Sequence, residues 1–290
     1  MQEINGFTKL TGIIGYPIEH SVSPQMHNAA YAKLGLNYCY LPLLVVPSDL
    51  EKALEGIRIL GFAGLNVTVP HKEAVIPHLD EVTKLARLIG AANVILNQEG
   101  RLVGYNTDGP GFMDSLKEDA GFDVKGKRAV ILGAGGAAKA VAIMLAQDGI
   151  ANLVISDVIY EKAKDLCEYV NSHFGIAPYA CPTKSDEARK LIEKCDLLVN
   201  ASPVGMHPKV NECPISEDYK IPSKALAYDM VYNPMETRFL KLAKANGAKA
   251  VSGLGMLLRQ GALAFSLFTE QEPPMEIMKE AALKALKTFK

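Results

Sequence analysis

Short apolar runs alternate along this chain with stretches whose apolar positions recur every three to four residues. That is the pattern of strands alternating with amphipathic helices. Residues 12–16, 38–45 and 65–69 read as strands, and 24–34 and 48–59 as helices. Residues 93–96 and 102–105 read as a hairpin that turns at Glu99-Gly100. A helix from about Gly109 leads into a second set of elements over 129–251, with strands at 128–132, 152–156, 196–200 and 226–230 and a helix over 139–147. Residues 205–221 carry prolines and little periodicity, the mark of a long loop, and long loops in compact domains are often functional. Two helices, 255–268 and 276–289, close the chain. This alternation predicts an α/β fold with a mostly parallel sheet in each of two domains. The expected boundaries are 1–108 for a first α/β domain, 109–252 for a Rossmann-type domain, and 253–290 for C-terminal helices returning to the first.

The most informative local pattern is the turn Gly133-Ala134-Gly135-Gly136-Ala137-Ala138, set between a strand and a helix. A second strand follows and ends at Asp157. This is the G-x-G-x-x-A form of the dinucleotide fingerprint in its structural setting, with an acid ~20 residues on. Glycines let the backbone approach a pyrophosphate, and the helix start offers free N–H groups and the positive end of its dipole. The fingerprint begins well into the chain, so the preceding domain is the place to look for a substrate site.

Composition narrows the partners. The 31 basic and 32 acidic residues are well mixed and give a net charge of -1, which argues against nucleic acid or an anionic membrane as a main partner. Apolar runs fall short of the ~18 residues of a membrane span, and residues 1–6 lack a signal-peptide pattern. The 5 cysteines (Cys39, Cys167, Cys181, Cys195 and Cys213) are widely spaced without a C-x-x-C pair. They read as free thiols of a cytoplasmic protein, with no metal site expected.

Three polar clusters in the first domain carry chemistry. Asn66-Val67-Thr68-Val69-Pro70-His71-Lys72 ends a strand, with Asn66 and Thr68 on one face, and places a lysine beyond it. From this segment alone a surface lysine is the plainer reading; a tuned proton donor is the functional one. His71 reads as a positioning residue or a bystander. Tyr105-Asn106-Thr107-Asp108-Gly109 places Asp108 either as a helix N-cap or as the partner of Lys72, with Asn93 as a further polar group. His20-Ser21-Val22-Ser23-Pro24 reads as a helix start with Ser23 at the N-cap, and Ser21 and Ser23 beside it form a pocket for a carboxylate. His20 and His27 are too isolated to argue for a metal.

Together these motifs resemble the shikimate dehydrogenase family, including its quinate/shikimate relatives. The resemblance also rests on Gly15-Tyr16-Pro17-Ile18-Glu19 before the serine pair, Gly90-Ala91-Ala92-Asn93, and Asn200-Ala201-Ser202-Pro203-Val204-Gly205-Met206. It is completed by Asp229-Met230-Val231-Tyr232-Asn233-Pro234 and Gly253-Leu254-Gly255-Met256-Leu257-Leu258-Arg259-Gln260. It implies reversible reduction of 3-dehydroshikimate to shikimate by a nicotinamide cofactor, in aromatic amino acid biosynthesis. It implies that Lys72 and Asp108 are the catalytic pair and that Ser21 and Ser23 hold the substrate carboxylate. Asn66, Thr68, Asn93, Asp108 and Gln260 would hold ring hydroxyls, and Tyr232 would approach from the cofactor domain. Gly133, Ala134, Gly135, Gly136 and Ala137 would carry the pyrophosphate, with Asp157, Ser202, Met230, Gly253 and Met256 at the rest of the cofactor.

The chain departs from the family where many members have Asn-Arg-Thr after the second Rossmann strand; here the residues are Asp157-Val158-Ile159. An aspartate there can hydrogen-bond a ribose 2′-hydroxyl and repels a 2′-phosphate, so the expectation is NAD rather than NADP. The other reading is that Asp157 caps the next helix and a later lysine, Lys162 or Lys164, reaches the phosphate. Expected partners are a small cyclic acid, no nucleic acid and no membrane, in a monomer or homodimer. Alternatives are an NAD-dependent quinate/shikimate dehydrogenase working catabolically, a regulatory protein that binds dinucleotide without turnover, and a folate-linked dehydrogenase. The last leaves the serine pair and Asn106-Thr107-Asp108 unexplained.

Overall fold

The structure is a computed structural model that describes residues 4–288. In chain order its elements are β1 (Lys9–Gly15), α1 (Ser23–Leu34), β2 (Tyr38–Leu44), α2 (Leu50–Ile59), β3 (Gly64–Val67), α3 (His71–Ala74), β4 (Glu81–Val82), α4 (Lys84–Ile89), β5 (Val94–Gln98) and β6 (Arg101–Tyr105). There follow α5 (Asp108–Glu118), β7 (Arg128–Leu132), α6 (Gly136–Gln147), β8 (Asn152–Asp157), α7 (Tyr160–Phe174), β9 (Tyr179–Pro182), α8 (Asp186–Ile192), β10 (Leu197–Asn200), β11 (Leu226–Asp229), α9 (Arg238–Ala245), β12 (Lys249–Ser252), α10 (Leu254–Thr269) and α11 (Met275–Leu286). The expected terminal helix stops at Leu286, and Phe289 lies outside the described residues. The expected helix over 48–59 begins with a tighter turn at Pro47–Asp49 before α2. Among the described residues no helix is long and apolar enough to cross a membrane.

The chain divides into two compact units. Unit 1 takes the residues up to Asp108 together with those from Leu258 onward, and unit 2 is Gly109–Leu257. The sheet of unit 1 runs β2-β1-β3-β5-β6-β4. β2, β1 and β3 are parallel, but β5 is antiparallel to both β3 and β6, so the sheet is mixed where a mostly parallel one was expected. The hairpin makes β5 antiparallel to β6, and pairing with β3 places it antiparallel there as well. Glu99 and Gly100 both take positive φ, 55° and 91°, as a two-residue turn matched to strand twist requires. Alternation then sorts the faces. Ile14, Leu65, Val67, Ile95 and Leu102 pack on Leu50, Leu54 and Ile57 of α2. Thr11, Tyr40 and Asn66 belong to the opposite face, where Thr11 Oγ1 meets the Tyr31 hydroxyl of α1 at 2.9 Å.

The sheet of unit 2 runs β12-β11-β10-β7-β8-β9, and all its pairs are parallel. Read from the other edge this is the doubly wound 3-2-1-4-5-6 order, whose direction of winding reverses between β7 and β10. Each strand feeds both faces. Ala129, Ile131, Leu153, Ile155, Leu197 and Val199 pack with α6 and α7 through Val141, Leu145, Ala163 and Leu166. Val130, Leu132, Val154 and Leu198 pack with α8 and α9 through Ile192, Phe239 and Ala243. Ligands in such sheets bind beyond the carboxyl ends of the strands at the reversal, here beyond Leu132 and Asn200.

Candidate active site

Asn93, on the residue before β5, is the hub of the polar cluster in unit 1 and is 2% exposed. Its Oδ1 accepts the Thr107 N–H at 2.7 Å. Its Nδ2 faces three oxygens: Thr107 Oγ1 at 2.9 Å, Asp108 Oδ1 at 3.0 Å and Gln260 Oε1 at 3.3 Å. The Asn93 carbonyl accepts from the Val67 N–H and from Asn66 Nδ2, which binds the end of β3 to the same hub. Thr107 Oγ1 in turn donates to the Gln260 carbonyl at 3.1 Å, fixing α10 beside the β6–α5 junction.

Lys72 joins this cluster. Its carbonyl accepts the Ala92 N–H at 2.8 Å, so its backbone is held one residue from the hub. Its Nζ donates to Asp108 Oδ2 at 2.8 Å, with side-chain exposures of 23% and 8%. An ion pair this shielded from water is no ordinary surface pair, and it needs further hydrogen bonds to be tolerated. Asp108 has one in the Asn93 amide. Lys72 is therefore a shielded lysine paired with Asp108 rather than a fully exposed one. His71 is buried with Nε2 2.7 Å from the Val45 carbonyl. A carbonyl only accepts, so Nε2 carries the proton and His71 anchors α3 rather than facing a ligand.

The serine pair differs from expectation. Ser23 is inside α1, whose N-cap is Val22, and no side chain caps the helix. Ser21 Oγ instead accepts the Ser23 N–H at 3.3 Å. Proline in the first turn removes a donor that has no helical partner, so the helix starts one residue earlier without a serine cap. Ser21 is half-buried, Ser23 buried, and Thr68 half-buried just past the end of β3. Thr107, quoted only as part of a motif, emerges as a structural member of the cluster; the polar run 106–108 was its signal.

In unit 2 the fingerprint lies at the expected strand ends. Gly133 has φ +109°, and a Cβ there would lie 3.1 Å from the Ala201 and Ser202 backbone. Gly135 caps α6, whose first residues are Gly136 and Ala137. The glycine-rich turn and a helix start without a side-chain cap form a cradle that fits a dinucleotide pyrophosphate. Asn200 Oδ1 accepts from both the backbone N and the Oγ of Ser202, while its Nδ2 donates to Asp229 Oδ1 at 2.9 Å. Asp229 also takes the Val231 N–H and the Thr237 hydroxyl, so one buried carboxylate ties the loop after β10 to the loop after β11. Burial pushes the Asp229 carboxyl up to about 6 against the pull of these three donors. Met230 N–H bonds the Asn200 carbonyl, the Gly253 N–H bonds the Val231 carbonyl, and Met256 packs into the core under the sheet. Tyr232 lies half-buried in unit 2, in the turn after β11.

Comparison with known proteins gives the family. The shikimate dehydrogenase substrate binding domain matches residues 13–95, the shikimate / quinate 5-dehydrogenase domain 115–215, and the shikimate 5′-dehydrogenase C-terminal domain 253–283. A curated relative from Methanopyrus kandleri, shikimate dehydrogenase (NADP(+)), is 46% identical over 284 residues and 98% of each chain. A crystal structure of a shikimate dehydrogenase in complex with NADP+ is 42% identical with a TM-score of 0.89, over 98% of this chain and 97% of that one. The Thermus thermophilus enzyme in complex with NADP(H) and shikimate is 39% identical with a TM-score of 0.85, over 96% of this chain and 100% of that one.

These relatives overturn the expected preference for NAD, because the curated ones carry NADP(+) in their names and the 42% identical crystal structure is of a complex with NADP+. The physical reason lies in Asp157. Its Oδ2 accepts the Ala134 N–H at 2.7 Å and its Oδ1 accepts the Ile159 N–H at 2.8 Å. Both oxygens brace the backbone of the fingerprint turn and of the 157–159 turn, a structural role that an acid fills at this position without a ribose hydroxyl. On these matches, which span both units, the chain belongs to the shikimate dehydrogenase family.

Proposed function

We propose that this protein interconverts 3-dehydroshikimate and shikimate, using NADP, with unit 1 holding the substrate and unit 2 the cofactor. The observation that supports this most is the shielded Lys72–Asp108 pair tied through Asn93 to Gln260 and Asn66, within the residues that match the family's substrate-binding domain. Asn66, Thr68, Asn93 and Gln260 would take ring hydroxyls. Ser21 and Ser23, at the start of α1, would take the carboxylate, since a helix start favours an anion. Tyr232 is assigned to the substrate as well.

In unit 2, Gly133, Ala134, Gly135, Gly136 and Ala137 would cradle the pyrophosphate, with Asp157 bracing that turn. Lys162 and Lys164 of α7 are the lysines assigned to the 2′-phosphate. Ser202, Met230, Gly253 and Met256 would border the nicotinamide half. A bound nicotinamide supplies or accepts the hydride at the carbinol carbon. Lys72 Nζ holds the proton that neutralises the substrate oxygen during reduction, and it takes that proton back during oxidation. Asp108 orients the Lys72 Nζ towards the substrate oxygen. A positioned proton donor of this kind contributes roughly 10²–10⁴-fold in rate.

The direct test is consumption of NADPH in the presence of 3-dehydroshikimate, followed by its absorbance. Turnover by the wild type that collapses in Lys72→Met supports the proposal. A wild type that binds NADPH and leaves 3-dehydroshikimate untouched refutes it and revives the reading of a non-catalytic dinucleotide binder.

A further inference from the structure

Tyr40 has no part in the site as described so far, yet every part of it is held. It lies on β2, opposite Thr11 of β1, while Asn66 of β3 lies opposite Ile13 of β1. The two residues therefore flank the same strand on one face, two strand spacings of about 5 Å apart. The Tyr40 side chain crosses that gap, and its hydroxyl is 2.8 Å from Asn66 Oδ1. The Asn93 carbonyl, which only accepts, lies 3.2 Å from the other end of the Asn66 amide. That end must be the NH2, so the end facing Tyr40 is the oxygen and the phenol is the donor. With Oδ1 taken by Tyr40 and one N–H by Asn93, Asn66 keeps its second N–H for a ligand.

Tyr40 itself is held by Asn28 and His27 of α1. Asn28 of α1 clamps the Tyr40 backbone, with Nδ2 to the carbonyl and Oδ1 to the N–H, both at 2.9 Å. The His27 ring stacks on the Tyr40 ring with centroids 4.3 Å apart and planes 10° apart. Burial keeps the Tyr40 hydroxyl protonated, and therefore a donor, far above neutral pH. Tyr40 is 1% exposed, so it reaches a ligand only through Asn66.

We propose that Tyr40 is a positioning residue of the substrate site, its hydroxyl holding the oxygen end of the Asn66 amide in place. This rests on the assignment of Asn66 to the substrate. Removing the hydroxyl leaves Asn66 Oδ1 without its donor and the amide held at one end only, by the Asn93 carbonyl, so its second N–H is no longer fixed in place for the substrate. The effect falls on substrate binding and spares proton transfer, because Lys72 and Asp108 keep their own contacts.

The test compares Tyr40→Phe with Tyr31→Phe by steady-state kinetics. Tyr31 is equally buried in the same aromatic cluster, and its hydroxyl meets Thr11 at 2.9 Å without touching a site residue. Tyr40→Phe should raise KM for shikimate about tenfold, equivalent to about 1.4 kcal/mol, with kcat within about twofold and KM for NADP+ unchanged. Tyr31→Phe should lower Tm and leave KM for shikimate unchanged. Asn28→Ala, which frees the Tyr40 backbone and keeps the phenol, should raise the same KM by a smaller factor. An active wild type whose KM is unmoved by Tyr40→Phe, or raised alike by both tyrosine variants, overturns the proposal and leaves the function standing. A wild type that does not oxidise shikimate overturns the function, and this proposal with it.

Discussion

The Lys72 ammonium donates to Asp108 Oδ2 at 2.8 Å, while the other Asp108 oxygen accepts from Asn93 at 3.0 Å. Asp108 is thus held at both oxygens, and its partner Lys72 lies 36 residues away in sequence. Lys72→Met should lower kcat by about 10²–10⁴-fold and change KM for shikimate only a few-fold, because it removes a proton donor rather than a ring-hydroxyl contact. Steady-state rates decide it: an equal loss in binding, or a kcat within tenfold of wild type, counts against the assignment.

Asp157 braces the fingerprint through two backbone N–H groups. Asp157→Ala leaves both donors without their acceptor and should destabilise the protein by about 1–2 kcal/mol, with weaker NADP+ binding. Urea unfolding and a cofactor titration test this. An unchanged midpoint would mean that the carboxylate braces nothing.

Gly253 approaches the end of β11 so closely that a Cβ would collide with the Met230 carbonyl oxygen. The colliding group is backbone and has no rotamer to escape into. Gly253→Ala should therefore cost about 3 kcal/mol or more and displace the start of α10. A variant as stable as wild type by denaturant unfolding would contradict the packing described.

His27 is buried without a partner for Nδ1, and burial holds it neutral, its pKa lowered from 6.5 to about 3. The unfolded chain takes up a proton below pH 6.5 that the folded chain refuses. Stability present above pH 6.5 is therefore lost as pH falls towards 3, by up to about 1.4 kcal/mol per pH unit. His27→Phe keeps a ring against Tyr40 and removes the titration. The difference in unfolding free energy between the two proteins should shift steadily in the variant's favour from pH 6.5 to 4; a difference independent of pH would contradict this.

Much of this was legible in the sequence, for identifiable reasons. Long periodic segments such as α1 and α6, and a turn as specific as Glu99-Gly100, declare themselves locally. The two-residue β4, the six-residue α4 and the four-residue β9 carry too little periodicity to be seen. The antiparallel placement of β5 depends on pairing with β3, a contact no local pattern records. In the site, Lys72 alone looked like a surface residue; only Asp108 and Asn93, brought to it by folding, change that reading. Asp157 misled because its residue type fits a ribose contact, while its actual partners, Ala134 and Ile159, are backbone groups invisible in a motif. Tyr40 gave no signal, since its role depends on reaching across β1.

The most direct test of the central claim is the initial rate of NADP+ reduction with shikimate, measured beside quinate and beside NAD+. Shikimate oxidation with NADP+ at the highest kcat/KM of the four combinations is the expected result. No reduction of NADP+ by shikimate, from protein shown to be folded and to bind NADP+, would contradict it.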